Sequence, residues 1–197
     1  LVREGDIRGV FHVHSKGSDG MNSIEEMVSA CISRGYSYLG ISDHSQSAYY
    51  AGGLKPDQVK RQHEEIESLR RKHPDFHIFK GIELEILPDG SLDYDDSILS
   101  LFDFTVASVH SHFNMDEDTM TGRVIKAMKN GSVTFLGHPS GRLLLSREPY
   151  RINMAEVLKA ASELGVIIEI NANPHRLDLD WRYCKSAKEE GCRFAIS

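Results

Sequence analysis

Short apolar runs alternate with amphipathic stretches along the whole chain. Gly9 to Val13, Tyr38 to Ser42, Ile78 to Ile86, Phe104 to Ser108, Val133 to Leu136, Val166 to Ile170 and Arg193 to Ile196 read as strands. Ser23 to Arg34, Lys55 to Lys72, Glu117 to Lys129, Asn153 to Leu164 and Trp181 to Glu190 read as helices. The boundaries carry their own signals. Ser23 is placed to cap the first helix, with Glu26 at the capping-box position. Pro56 falls in the first turn of the second. Pro88-Asp89-Gly90 is a turn, and Gly165 and Gly191 stand where helices end.

Seven strands in 197 residues give about 28 residues per strand–helix period. Strands that alternate with helices imply βαβ units, right-handed crossovers and a parallel sheet. Closing such a sheet gives a TIM-like barrel. Eight repeats usually take about 250 residues, so a shorter or a cut barrel is expected. No linker, low-complexity tract or charge block divides residues 1–197, which read as a single domain.

Composition narrows the class. Apolar residues are 40% and charged residues 26%, ordinary globular usage. No apolar run approaches the roughly 18 residues that span a bilayer, and the N-terminal Leu1-Val2-Arg3-Glu4-Gly5-Asp6 has no signal-peptide core. Without an initiator Met the chain reads as a piece of a longer one. Cys31, Cys184 and Cys192 are odd in number and form no C-x-x-C pair. That fits reduced thiols and a cytoplasmic location. The net charge of −6 is not that of a duplex-coating protein. If the substrate is phosphorylated, cations other than Lys and Arg must meet it. Ten histidines make bound metal the first candidate.

Parallel α/β folds place their chemistry at the carboxyl ends of strands. The first strand continues as His12-Val13-His14, and alternation puts both imidazoles on one face. Asp19 follows in a Gly-rich loop and by itself reads as a turn residue. The second strand ends Ser42-Asp43-His44, where the Asp–His pair is either a ligand pair or a helix cap. On the third, Glu83 and Glu85 face opposite to Ile82, Leu84 and Ile86. Acids that face a barrel interior are costly unless paired or metal-bound. The fourth ends Ser108-Val109-His110-Ser111-His112, the fifth Gly137-His138-Pro139, the sixth Glu169-Ile170-Asn171-Ala172-Asn173. Five consecutive strand ends thus supply His, His, Glu, His and His to one rim. His63, His73, His77 and His175 fall elsewhere and read as surface or packing residues. Mixed imidazole and carboxylate ligands suit Zn, Mn or Fe better than Ca or Mg. Two or more ions bridged by a carboxylate such as Glu83 suit phosphate ester hydrolysis: they generate hydroxide, hold the phosphate and stabilise the leaving oxygen. Arg142 and Arg147 follow the fifth strand and read either as a phosphate clamp or as a salt-bridged loop. Asn171 and Asn173 read as helix caps, with substrate orientation as the other option.

His12-x-His14, Ser42-Asp43-His44, Gly81-Ile82-Glu83, Ser108-Val109-His110 and Gly137-His138-Pro139 resemble, in order, the motifs of the PHP (polymerase and histidinol phosphatase) domain. Within that superfamily the chain is most similar to the C-terminal PHP domain of bacterial family X DNA polymerases. The stretches that carry this are His14-Ser15-x-x-Ser18-Asp19-Gly20, Tyr49-Tyr50-Ala51-Gly52-Gly53-Leu54, Asp89-Gly90-Ser91-Leu92-Asp93-Tyr94 and Ser108-Val109-His110-Ser111-x-Phe113-Asn114. The resemblance implies a distorted seven-stranded (β/α) barrel with two or three divalent ions, Mn or Zn, with Fe as a third option. It implies that His12, His14 and Glu83 hold one ion, that Glu83 bridges to a second held by His110 and His138, and that Asp19 and His44 hold a third. The implied reaction is phosphodiester or phosphomonoester hydrolysis, in the polymerase-linked branch a 3′–5′ exonuclease that processes DNA ends, with a polymerase domain N-terminal to Leu1. The family's final Asp-x-His motif would begin where the chain reads Ala195-Ile196-Ser197. The resemblance therefore implies a barrel cut at the end of its seventh strand.

Three other functions compete. A stand-alone phosphatase for a small phosphomonoester, such as histidinol phosphate, would use the same ligands. An amidohydrolase-type barrel also opens on His-x-His and cleaves C–N bonds, but Ser42-Asp43-His44 and Gly81-Ile82-Glu83 argue against it. A metal-stabilised scaffold with a decayed site is the non-enzymatic reading.

Overall fold

The structure is a computed structural model that describes residues 2–197. Leu1, the first residue of the N-terminal segment discussed above, lies outside the described residues. Seven strands form one parallel sheet in chain order: β1 (Gly9–Val13), β2 (Tyr38–Ile41), β3 (His77–Glu85), β4 (Phe104–Ser108), β5 (Phe135–Leu136), β6 (Ile167–Ile170) and β7 (Phe194–Ile196). Every ladder is parallel, and β7 comes back beside β1. The sheet is a nearly closed barrel of the TIM-like kind that the alternation predicts.

The helices are α1 (Ile24–Ser33), α2 (Pro56–Lys72), α3 (Asp96–Leu99), α4 (Glu117–Met128), α5 (Met154–Leu164) and α6 (Trp181–Glu189). The Ser23 hydroxyl accepts from the Glu26 amide, and Glu26 accepts from the Ser23 amide at 2.7 Å, the reciprocal box read from the sequence. Gly165 closes α5 at φ +73°, a left-handed position where any Cβ is strained. The short α3 has no sequence signal because a single turn shows no period. Asp95 caps it through the Ile98 amide. The fifth strand is shorter than predicted. Val133 sits in a turn, its amide donating to the Asn130 carbonyl and the Ser132 amide to the Asn130 side chain, so only Phe135–Leu136 pairs.

Each strand divides its side chains between two layers. Outward residues such as Ile78, Ile82, Leu84 and Ile168 pack under the helices. Inward residues near the amino ends form an apolar plug of Phe11, Phe79, Phe104, Val106 and Phe135, capped by Ile167 and Ala195. The Phe11 and Phe104 ring centroids stand 5.0 Å apart, edge to face. A Cβ on Gly81 would lie 2.2 Å from the Phe104 ring. The missing side chain there leaves room for the aromatic plug.

β1 departs from simple alternation. Val10 pairs with Leu39 and Val13 with Ile41, so three steps on β1 face two on β2, a bulge. His12 carries the extra step at φ +59°, a conformation that costs a non-glycine residue roughly 1–2 kcal/mol. The consequence is positional. Phe11 stays in the plug, His12 also points inward, and Val10 and Val13 pack outward against α1 and its neighbours.

Candidate metal centre

Above the plug the inward face turns polar. Glu83, two residues beyond Gly81 on β3, has a side chain only 1% exposed. Its Oε1 lies 3.0 Å from His12 Nε2, 3.2 Å from His110 Nε2 and 3.0 Å from His138 Nε2. Its Oε2 lies 3.3 Å from His14 Nε2 and 3.1 Å from His44 Nδ1. One carboxylate thus divides five imidazoles into two groups. Asp19 stands to the outer side, 2.9 Å from His14 Nδ1 and 3.6 Å from His44 Nε2, and is about half exposed. The structure therefore brings together all seven side chains singled out for a metal site. His63, His73, His77 and His175 line none of this cavity.

Two further acids hold the imidazoles in place, and sequence reasoning did not give them that role. Glu169 on β6 accepts from His12 Nδ1 at 2.5 Å, from the His138 amide at 2.5 Å and from the Ser197 hydroxyl at 2.5 Å. Glu85 accepts from His110 Nδ1 at 2.8 Å and from the Ser111 hydroxyl at 2.8 Å. A carboxylate that accepts the Nδ1–H hydrogen bond fixes the tautomer and aims the Nε2 lone pair inward, the arrangement that metal-binding histidines use. The signal for Glu169 was present: it is the one acid in the apolar run Val166 to Ile170.

Asp43 is neither at the cavity nor a helix cap. It is fully buried and accepts from the Ser15 amide and hydroxyl, the Ser18 hydroxyl and Gln62 Nε2 at 2.5–2.7 Å. It thereby ties the loop that carries Asp19 to α2. Asn171 and Asn173 do not cap α6, as the sequence suggested; their side chains accept from the Asn173 and His175 amides, and Asp180 caps the helix. Asn171 lines the cavity instead.

The two arginines read as a phosphate clamp are placed elsewhere. Arg142 donates to Asp180 Oδ2 at 2.6 Å and to the carbonyls of Arg176 and Leu177. Arg147 donates to the Gly141 carbonyl and lies 4.3 Å over the Phe113 ring. Neither lines the histidine cavity, which measures about 400 Å³. Arg176 does, with Tyr50 at the mouth. Arg176 Nη1 is buried and has no hydrogen-bond partner. It lies in an irregular loop, where the sequence offers no period to reveal it.

The electrostatics are those of a cation site. Burial opposes charge on His12 and His110, yet Glu169 and Glu83 outweigh it at His12 and hold its pKa well above the usual histidine value. Glu83 and Glu85 likewise raise His110 to about 9. Burial dominates at His44, pushed down to about 4. Glu83 stays ionised despite burial because His12 and His110 face it. His44 Nδ1 and His138 Nδ1 are buried without a hydrogen bond in the protein. Three sets of ligand atoms lie within 4.8 Å of one another: His12, His14 and Glu83; His14, Asp19 and His44; His44, Glu83 and His110. Imidazole with carboxylate is a donor set for Zn, Mn or Fe, so the residues fit divalent ions.

The PHP domain model matches residues 11–173. The chain belongs to the PHP domain family. Members of that family are metal-dependent hydrolases. Over its full length the chain is 42% identical to the DNA polymerase/3′-5′ exonuclease PolX of Bacillus subtilis (strain 168), of which it spans 35%. It is 32% identical over 171 residues to a protein named "Probable phosphatase" from Caldanaerobacter subterraneus, covering 81% of this chain and 60% of that one. Its fold is similar to the crystal structure of histidinol phosphate phosphatase from Lactococcus lactis, complexed with Zn, L-histidinol and phosphate. The TM-score is 0.68 at 18% identity, over 96% of this chain and 84% of that one.

Proposed function

We propose that this chain is the metal-dependent phosphoesterase part of a family X type polymerase and removes nucleotides from DNA 3′ ends. The observation that carries it is that one buried carboxylate, Glu83, stands within 3.3 Å of five imidazoles, those of His12, His14, His44, His110 and His138. A carboxylate shared in this way suits two adjacent ions. In this reading His12, His14 and Glu83 hold one, Glu83, His110 and His138 a second, and Asp19 with His44 a third, as Mn²⁺ or Zn²⁺. When bound, such ions supply Lewis acidity toward phosphoryl oxygens and make water a nucleophile at neutral pH. The chain's own groups do the rest. Glu85 and Glu169 keep His110 and His12 in one tautomer. Arg176 offers the guanidinium that meets a non-bridging phosphate oxygen, a role for which Arg142 and Arg147 are turned the wrong way.

The match of this whole chain to 35% of PolX supports the nucleic-acid substrate and a linked polymerase domain. Cys31, Cys184 and Cys192 are free thiols, which supports a cytoplasmic setting; among the described residues no helix is long and apolar enough to cross a membrane. A small phosphomonoester is the second reading, favoured by the relative that carries the name phosphatase.

The test is elemental analysis of the purified chain beside 3′–5′ degradation of a 5′-labelled single strand in Mn²⁺, with this chain and one extended past Ser197. Two or three ions per chain and stepwise shortening are expected. No metal above background in either form overturns the reading; metal without DNA cleavage moves it to the small phosphomonoester. Arg176→Ala should raise KM for the strand about 10-fold or more, as loss of a charge-assisted hydrogen bond of about 1.5–3 kcal/mol would.

A further inference from the structure

Beside the histidine cavity lies a second one of about 580 Å³, and Asn171 lines both. Its walls are mostly apolar, from Leu144, Ile170, Leu177 and Leu179. Trp181, the first residue of α6, stands at its edge with 79% of its surface exposed, and Leu177 is 48% exposed. Such a concentration of apolar surface in water marks a binding site more often than chance exposure. Its size is that of a small-molecule pocket (about 300–1,000 Å³). Arg142 and Arg182 also line it, both bonded to Asp180. The cavity therefore carries a positive surplus on a chain whose net charge is −6.

We infer that this second cavity receives a base of the single strand whose phosphodiester sits at the Glu83 rim, with the Trp181 indole as its stacking platform. The inference rests on the phosphoesterase reading and deepens it by naming the substrate's form. A strand sets a base beside every phosphate, so a nuclease has use for a flat apolar seat next to its phosphate site. A small phosphomonoester such as histidinol phosphate brings a single ring and no strand that continues past it. Stacking on an indole is tolerant of sequence, because every base presents a π-face. Unpaired bases reach such a face, whereas the bases of a duplex are already stacked on each other. Arg182 beside it, largely exposed, offers a guanidinium plane and charge to the flanking backbone.

Trp181 is the chain's single tryptophan, so its fluorescence reports the proposed contact directly. With the Zn-loaded chain, a phosphorothioate (dT)8 that resists cleavage should quench it saturably. Inorganic phosphate and a phosphorothioate strand of abasic residues should leave it unchanged. In the Mn²⁺ assay the chain should shorten (dT)8 about 5- to 150-fold faster, in kcat/KM, than an abasic strand, the range that one base–aromatic stack carries. Trp181→Ala should bring that ratio toward one, and Trp181→Phe should keep most of it. Unquenched fluorescence, or a wild-type ratio near one, overturns the inference. So does quenching that disappears when the chain is extended past Ser197, since residues that follow would then occupy the cavity. If neither strand is shortened, the DNA-cleaving reading has failed and the fluorescence titration alone decides the subsite.

Discussion

The barrel interior has two levels built on the same strands, and they obey opposite rules. On β3 the inward positions run Phe79, Gly81, Glu83, Glu85; on β6 they run Ile167, then Glu169. Below, Phe11, Phe79, Phe104 and Phe135 pack with centroids 5.0–5.6 Å apart and ask only for volume. Above, Glu83 is more deeply buried than those rings but is surrounded by nitrogen. The lower level gives the strands a reason to close. The upper level spends some of that stability: buried acids disfavour folding unless paired, and His12 and His138 hold left-handed backbone at φ +59° and +25°. Strained backbone of this kind persists only where its surroundings fix it, and the plug beneath supplies that rigidity.

If the two levels are separable in this way, substitutions should sort cleanly between them. The largest effect is expected at Glu83. Glu83→Gln keeps the volume but removes the charge that both imidazole groups share. Ester hydrolysis should fall on the order of a thousandfold or more, since several kcal/mol of metal-derived stabilisation depend on it, and elemental analysis should show lost metal. Full metal content with unimpaired cleavage in this variant would contradict the shared-carboxylate reading. Phe104→Ala is the complementary break. It should cost about 3–5 kcal/mol in urea unfolding, as deletion of a buried aromatic does, while metal per folded chain stays at the wild-type level. A parallel loss of metal would show that the levels are one unit. Glu169→Gln sits on the boundary. It should lower metal affinity or activity by about 10–100-fold, the usual cost of losing a carboxylate behind a ligating histidine. Burial opposes charge on His12 and Glu169 does most to oppose burial, so this variant should also bring the His12 pKa down in the metal-free protein, measurable by NMR titration.

The comparison also explains what the sequence made legible. Polar residues at the ends of apolar strands stand out against their neighbours. The repeat, the barrel and the rim of His12, His14, His44, Glu83, His110 and His138 were therefore visible before any coordinates. The shared face of His12 and His14 was read from alternation and holds; what alternation does not contain is the bulge that lets Phe11 point inward beside His12. Without the bulge, His12 and His14 would still share a face, but Phe11 would take the other and leave the plug. Glu85 was read as an inward acid and Glu169 only as part of the sixth strand's end; the partners of both are set by which imidazole folds against them, contacts between residues 25 and 157 apart in the chain. Arg176 was out of reach, because the 171–180 loop has neither period nor pairing beyond the Asn171–Asp178 bridge.

The smallest effect sharpens the distinction between arginines. Arg142 and Arg147 are adjacent in sequence to His138, and Arg176 is not, yet only Arg176 lines the histidine cavity. Arg142 instead ties Asp180 to the carbonyls of Arg176 and Leu177, so its work is to hold the loop that presents Arg176. Arg142→Ala removes this tie while Asp180 keeps its bonds to Arg182 at 2.9–3.0 Å. The pair is largely buried, its side chains 15% and 11% exposed, and loss of charge-assisted hydrogen bonds costs about 1.5–3 kcal/mol, so the variant should unfold earlier in urea by about that much, while cleavage by the folded protein should fall no more than about 5-fold. Arg176→Ala in parallel should lose far more cleavage. If Arg142→Ala instead weakened substrate binding as strongly as Arg176→Ala, the guanidinium would have to leave Asp180 for the phosphate, and the loop rather than the rim would set the substrate's position.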